Sequence, residues 1–241
     1  IQLIKVSPLG VLGTFASGTG AGAIMGMGAV YAFSIGLNTK EISIFMGSLI
    51  IGGGLMQYPI GRLSDNFGRR QVIIATCFIG AVSSLGASLF DASGLLIFLQ
   101  IAIIGGLSLP LYPLCTTHTN DYLTPSQRVA AGGTLVMAYG SGAAIGAPFA
   151  AFYMAWLGPQ GFFLALGISF ALVSIFAVIR SKQREATAIE DLGEFKPLAP
   201  VPVNVSINPI LEIEEIEVAS SATKADIQTS FEELVKELNS E

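Results

Sequence analysis

An all-α membrane protein, six transmembrane helices followed by a polar tail, is the fold class this sequence predicts, and three observations carry it. Of 241 residues, 52% are hydrophobic and only 12% charged, with a mean hydropathy of +0.67; a soluble domain carries about twice that share of charge. Apolar runs recur as far as Arg180, each about as long as a helix needs to cross the ~30 Å hydrocarbon core. The charge is also divided along the chain. Through Arg184 nine basic residues face four acidic ones, a balance of +5. From Glu185 onward three basic residues face thirteen acidic ones, a balance of −10. The first piece reads as membrane-embedded. The second reads as an acidic, mostly disordered tail, because it is too charged and too poor in aromatics to bury a core.

The spans are expected at about 9–35, 42–60, 71–90, 94–114, 129–156 and 161–180. None contains Asp, Glu, Lys or Arg short of Arg180, the last residue of the sixth. They make a transmembrane domain, 1–184, ahead of the tail, 185–241. Basic residues near span ends set orientation. Lys5, Arg62, Arg69, Arg70, Arg128, Arg180, Lys182 and Arg184 fall on one side of a six-span arrangement, and only Lys40 on the other. This predicts a multi-pass protein of the inner (plasma) membrane with both ends of the chain in the cytoplasm. The chain opens IQLIKVSPLG, with no initiator Met and no signal-peptide pattern, which reads as the middle of something longer.

Local signals place some ends. Thr124, Pro125 and Gln127 form a Thr-x-x-Gln capping box with proline at the first helical position, so span five starts near Pro125. In the tail, the four prolines of 195–210 read as an extended linker. Residues 225–238 have the spacing of a short amphipathic helix, with Ile227, Phe231, Leu234 and Leu238 on one face. Cys77 and Cys115 lie in apolar surroundings and read as buried free thiols.

Helix breakers and small residues are unevenly shared. Pro59 is in span two, Pro110 and Pro113 in span four, Pro148 in span five. Glycines crowd spans one, two and five, with four-residue steps Gly18, Gly22, Gly26 and Gly142, Gly146. Breakers survive in lipid only where neighbours or a water-filled cavity satisfy the freed carbonyls, and small residues let helices approach closely. Spans one, two, four and five are therefore expected inside the bundle and spans three and six toward lipid. Helix packing alone, or helix bending during a working cycle, accounts for the pattern equally well.

One polar stretch stands out. GRLSDNFGRR, Gly61 to Arg70, separates spans two and three as a short charged hairpin. Its Gly61, Leu63, Asp65, Gly68, Arg69 and Arg70 resemble the pattern G-x-L-[SA]-D-x-x-G-R-[RK] that the major facilitator superfamily carries between the second and third helices of a six-helix half. SPLGVLG at 7–13, QYPIGRLSD at 57–65, LYPLCTTHTNDYL at 111–123 and YGSGAAIGAP at 139–148 narrow the likeness to the C-terminal half of the YcaD-like branch. It covers about residues 5–180.

The resemblance implies a secondary transporter, a permease that moves a small solute by rocking one six-helix half against another. The partners it implies are the solute, the bilayer and an N-terminal half missing here. It implies a latch at the cytoplasmic face, with Asp65 as acceptor, Arg62, Arg69 and Arg70 as its basic side, and Gly61 and Gly68 allowing the turn. The same arginines also serve as plain positive-inside anchors. For the solute path the candidates are Gln57, Tyr112 and Tyr139, with His118 and Asp121 as a proton relay on one helix face, or else a solvated histidine at a span end. No charged residue lies in a span short of Arg180 at its end, so ion coupling resides in the other half or the carrier is a uniporter. Two alternatives stand beside this one: the N-terminal half of another facilitator, and a six-span scaffold without transport. No nucleophile with a base, no metal-ligand cluster and no phosphate loop on a strand is present, so no enzyme, no cofactor and no nucleic-acid partner is expected.

Overall fold

The apolar runs fold as helices in the computed structural model, which describes residues 2–90 and 94–181, the side chains of Gln2 and Pro125 excepted. The tail, including its proline-rich stretch and the helix read over 225–238, lies outside the described residues, as do Asp91, Lys182 and Arg184. Among the described residues there is no strand.

Helix α1 (Gln2–Val6) runs through Ser7 into α2 (Pro8–Ser34). Helix α3 (Thr39–Phe67) starts at a reciprocal cap. There the Glu41 amide donates to Asn38 Oδ1 at 3.1 Å and the Asn38 amide donates to Glu41 Oε2 at 2.9 Å. Next come α4 (Arg69–Leu89), α5 (Leu95–Ser108), α6 (Leu111–Asn120), α7 (Pro125–Leu157) and α8 (Gly161–Ser181). Helix α7 begins at Pro125, where the capping signal puts it, and the Thr124 amide donates to Gln127 Oε1 at 3.1 Å.

Five stretches are long and apolar enough to cross a membrane: Pro8–Ser34, Thr39–Phe67, Arg69–Leu89, Leu95–Asn120 and Ser126–Ser181. The last contains both α7 and α8. It is interrupted at Gly158, whose φ of +72° suits glycine, and by a 3-10 turn over Gly158–Gln160. The fourth is broken at Leu109–Pro110 between α5 and α6. Pro110 and Pro113 each remove one helical N–H, which leaves the carbonyls four residues earlier, on Gly106 and Leu109, without that bond.

The helices pair two by two: α2 with α7, α3 with α5, α4 with α8. Glycine explains the first two pairs. A Cβ added at Gly18 or Gly22 would overlap the backbone of Tyr139 or Ala143 on α7, and one at Gly142 or Gly146 the backbone of Phe15 or Thr19 on α2. The two four-residue stripes therefore face each other. Gly52 against Ala102 and Gly105 against Leu49 do the same for α3 and α5. Without side chains between them, the backbones approach closely and gain dispersion contacts, which hold helices together in lipid. The α4–α8 pair is different: bulky Phe170 and Leu85 fill the space over Gly80 and Gly167.

Burial does not divide the helices as the proline and glycine counts suggest. The windows of α2 and of the α5–α6 span are 61% and 56% buried, but that of α3 is only 33% buried, less than the 44% of α4. Helices α3 and α7 use their small faces for one neighbour each and leave a bare flank, with Leu55, Tyr58, Met137 and Trp156 exposed. Helices α4 and α8 bury Ile73, Cys77, Phe162, Phe163 and Phe170 on one face and expose Phe78, Val82, Leu172 and Ile175 on the other.

Candidate functional site

The polar stretch that reads as a hairpin is mostly helix. Gly61 to Phe67 form the last turns of α3, Arg69 opens α4, and Gly68 alone makes the turn. Gly68 has φ +88° and ψ 133°, a region that strains any residue with a Cβ, and the space around it is open. Glycine is needed there for its backbone freedom. Asp65 lies on the last turns of α3 and Arg69 four residues later, across Gly68, so the motif brings an acid and a base together over one residue of turn.

Arg69 is the centre of the site. Only 2% of the residue is exposed, although it starts a helix at the end of the bundle. A guanidinium taken out of water costs several kcal/mol unless an anion sits against it. Asp121, at the end of α6, supplies that anion: its Oδ2 lies 2.6 Å from Arg69 Nε, with the Asp121 side chain 5% exposed. Asp65 Oδ1 is farther, 3.7 Å from Arg69 Nη2, and its side chain is 32% exposed. The Asp121 contact is the short, buried ion pair. It ties the start of α4, and through Gly68 the end of α3, to the end of α6.

The other sequence candidates separate into two groups. His118 does not stand in solvent, as a span-end histidine is expected to. It is 5% exposed on α6, edge-on to the Tyr122 ring with centroids 5.3 Å apart. Together with Arg70, Tyr122, Arg180 and Ser7 it lines a small cleft at the motif end of the bundle. His118 and Asp121 thus belong with the arginines rather than with the tyrosines. Arg70 is buried at 7% exposure. Arg62 and Leu63 are exposed on α3, where Arg62 Nη1 donates to Tyr58 Oη at a long 3.4 Å.

Tyr112 and Tyr139 meet deeper in the bundle, edge to face, with ring centroids 4.9 Å apart. Both are buried. Tyr112 sits between Pro110 and Pro113. Gln57 is half-buried on α3, two residues before Pro59. Pro148 lies inside α7, two residues past the Gly142–Gly146 stripe.

The sequence sets Asp121 beside His118; the structure adds Arg69 as its ion-pair partner. The signal for Arg69 was present: Asp121 is the one acid in the 116–128 connection, on the same side of the spans as Arg69 and Arg70. Arg180 and Ser7, which complete the cleft, carry no local pattern that marks them.

The sequence profile of the Major Facilitator Superfamily matches residues 10–224. The chain is 25% identical over 186 residues to an uncharacterized MFS-type transporter YcaD of Escherichia fergusonii, covering 77% of this chain and 47% of that protein. It is 30% identical over 151 residues to the YcaD of Shigella flexneri, covering 63% of this chain and 38% of that protein. The chain therefore spans about half the length, or less, of these relatives. A solved structure, described as that of an auto-inhibited POT family peptide transporter, superposes with a TM-score of 0.65 over 81% of this chain and 40% of its own, at 15% identity, a likeness of fold alone. Apolar helices long enough to span a bilayer, the motif turn at Gly68 and the profile match agree: the chain is a multi-pass membrane protein and belongs to the Major Facilitator Superfamily.

Proposed function

We propose that this chain is the C-terminal six-helix half of a permease that carries a small solute across the plasma membrane by alternating access. Counting α7 and α8 as separate crossings gives six spans, with both ends of the domain in the cytoplasm. The observation that carries the reading is the Asp121–Arg69–Asp65 cluster. It clamps three helix ends at one side of the bundle with a short, buried ion pair and a longer, half-buried one. A clamp of this kind favours one arrangement of the helix ends, and weakening it shifts the balance toward the other. In this reading Asp121 and Asp65 hold Arg69 in the closed cytoplasmic arrangement, and the half-buried, longer contact to Asp65 is the one that exchanges.

The bare flanks of α3 and α7 support a second six-helix half as the partner. Contiguous exposed apolar surface is covered either by lipid or by protein, and Gln57 on α3 and the proline and glycine breaks of α7 suit a polar, moving interface better than a lipid one. Gln57, Tyr112 and Tyr139 are the polar groups assigned to the solute path. Any coupling ion is assigned to the other half, or the carrier is a uniporter, since the charged residues of this half stand at the ends of its spans.

The test uses the complete transporter in proteoliposomes, with uptake measured over a panel of labelled solutes. Asp65→Asn is expected to lower uptake at normal membrane levels and to raise labelling of cysteines on the cytoplasmic side of the path. Full uptake with an unchanged labelling pattern sinks the latch. Absence of uptake of any solute by the wild-type protein, with a single accessibility state on both sides, favours the scaffold instead.

A further inference from the structure

We infer that one water molecule is bound between α2, the α5–α6 junction and α8, and that it ties these elements together where the fourth span is broken. The space that takes it lies near the middle of α2 and α8, well away from their ends. Ser17 and Gly20 of α2, Ser108 and Leu111 on either side of the Leu109–Pro110 break, and Ser169 of α8 line it. It leaves about 10 Å³ for the centre of a water molecule, which is room for one.

The chemistry of the walls selects the occupant. Apolar spaces of this size stay dry, whereas a space that offers several polar partners holds an ordered water. Here three hydroxyls come from three different elements. Ser17 and Ser108 are both buried. Ser34, Ser43, Ser48 and Ser169 each donate to a carbonyl of their own helix. Among the described residues Ser17 and Ser108 make no such bond. Ser108 Oγ reaches toward α2 instead, 3.4 Å from where a Cβ on Gly20 would stand. A buried hydroxyl left without a partner is costly. One water satisfies both serines, accepting from one and donating to the other. Its second proton goes to Ser169 Oγ, whose own O–H is directed at the Ala165 carbonyl at 3.0 Å.

A cation of similar size is disfavoured by charge. No Asp, Glu, Lys, Arg or His lines the space. A sodium ion there would have no counter-charge in a low-dielectric core.

The position gives the water its role. Pro110 has no N–H, so the turn from Ser108 to Leu111 lacks part of its own hydrogen bonding. Within a membrane such a turn is supported by neighbouring helices, hydroxyl side chains and ordered water. The glycine seams join α2 to α7 and α3 to α5, and Phe170 and Leu85 fill the contact of α4 with α8. None of these seams reaches from the α5–α6 junction to α2 and α8 together. The water supplies that polar link.

The experiment is X-ray radiolytic footprinting of the complete protein in detergent. Radicals made from water in place mark the side chains beside it, and mass spectrometry reads the marks. Leu166 and Phe170 line the space and are almost wholly buried, as are Leu49 and Phe45 elsewhere in the core. Leu166 and Phe170 are expected to be marked several-fold faster than Leu49 and Phe45. Gly20→Ala, whose methyl group enters the space at the edge of ordinary contact with Ser108 Oγ, is expected to remove that excess. Equal rates in the wild-type protein overturn the proposal, and so does an excess that survives in Gly20→Ala. Thermal melts give a second reading with a sign. Ser17→Ala and Ser108→Ala are expected to lower the melting temperature, because each takes a partner from the water. A rise in both instead marks the hydroxyls as unpaired groups in a dry space and sinks the water. Should either variant fail to fold, the wild-type footprint decides alone. Stabilisation of the wild-type protein by sodium over potassium, lost in Ser108→Ala, makes the occupant an ion and likewise overturns the proposal.

Discussion

At the residue scale the fold turns on which charges are buried. Arg69 is enclosed and Asp121 is the carboxylate pressed against it at 2.6 Å, whereas Asp65 stands 3.7 Å away and partly in solvent. Removing one partner of a buried pair leaves an uncompensated charge and costs about 3–5 kcal/mol, whereas the longer contact to half-buried Asp65 is the weaker of the two. Asp121→Asn is therefore expected to lower the melting temperature of the detergent-solubilised protein far more than Asp65→Asn. Equal losses would show that the two acids share Arg69 evenly. Gly68 gives a second prediction. Its φ of +88° lies where a Cβ is strained, so Gly68→Ala should cost about 1–3 kcal/mol of stability although nothing crowds the site. A melting curve unchanged by that substitution refutes the assigned role.

At the element scale the α2–α7 seam is the test of packing. Glycine stripes at every fourth residue were legible in the sequence, but which stripe meets which was not. Only the folded pair shows Gly22 under the Ala143 carbonyl and Gly146 under that of Thr19. Gly22→Ala should force the backbones apart at a cost of about 1–3 kcal/mol. Gly86→Ala, on α4 with open space around it, should change stability by less than about 0.5 kcal/mol. Thermal melts of the two variants side by side check this, and a neutral Gly22→Ala would remove the seam from the account. The helix boundaries were less legible than the helices. Gly61–Phe67 reads as loop because its residues are polar, but polarity reports depth in the bilayer, not backbone geometry. A helix continues beyond the hydrocarbon as long as its own hydrogen bonds are satisfied.

At the scale of the whole molecule, the motif end gathers Lys5, Arg62, Arg69, Arg70, Arg128 and Arg180 by the up-and-down course of the spans, while Lys40 lies at the opposite end. If that end is cytoplasmic, a cysteine replacing exposed Asn66 should react with a membrane-impermeant maleimide only after the membrane is opened. One replacing exposed Lys40 should react in intact cells. The reverse pattern refutes the orientation. Native Cys77 and Cys115 are buried and free, so they add little background. The bare flanks of α3 and α7 belong to this scale too. No local rule distinguishes a glycine that packs inside one half from a proline or glutamine kept for another, which is why counting breakers does not foretell that the α3 window is only 33% buried within this chain.

By itself the sequence determined that this chain crosses a membrane several times, which ends share a side, and that Gly61 to Arg70 carries the signature of a known superfamily. Those properties follow from hydropathy, span length and short spacing, which are local sums along the chain. The partner of Arg69, the facing of the glycine stripes, the burial of His118 and the meeting of Arg70 with Arg180 were decided by tertiary structure alone. Each joins residues from different spans, 52 positions apart for Arg69 and Asp121 and 110 for Arg70 and Arg180. Their distance in space depends on how helices pack, which no local pattern along the chain encodes.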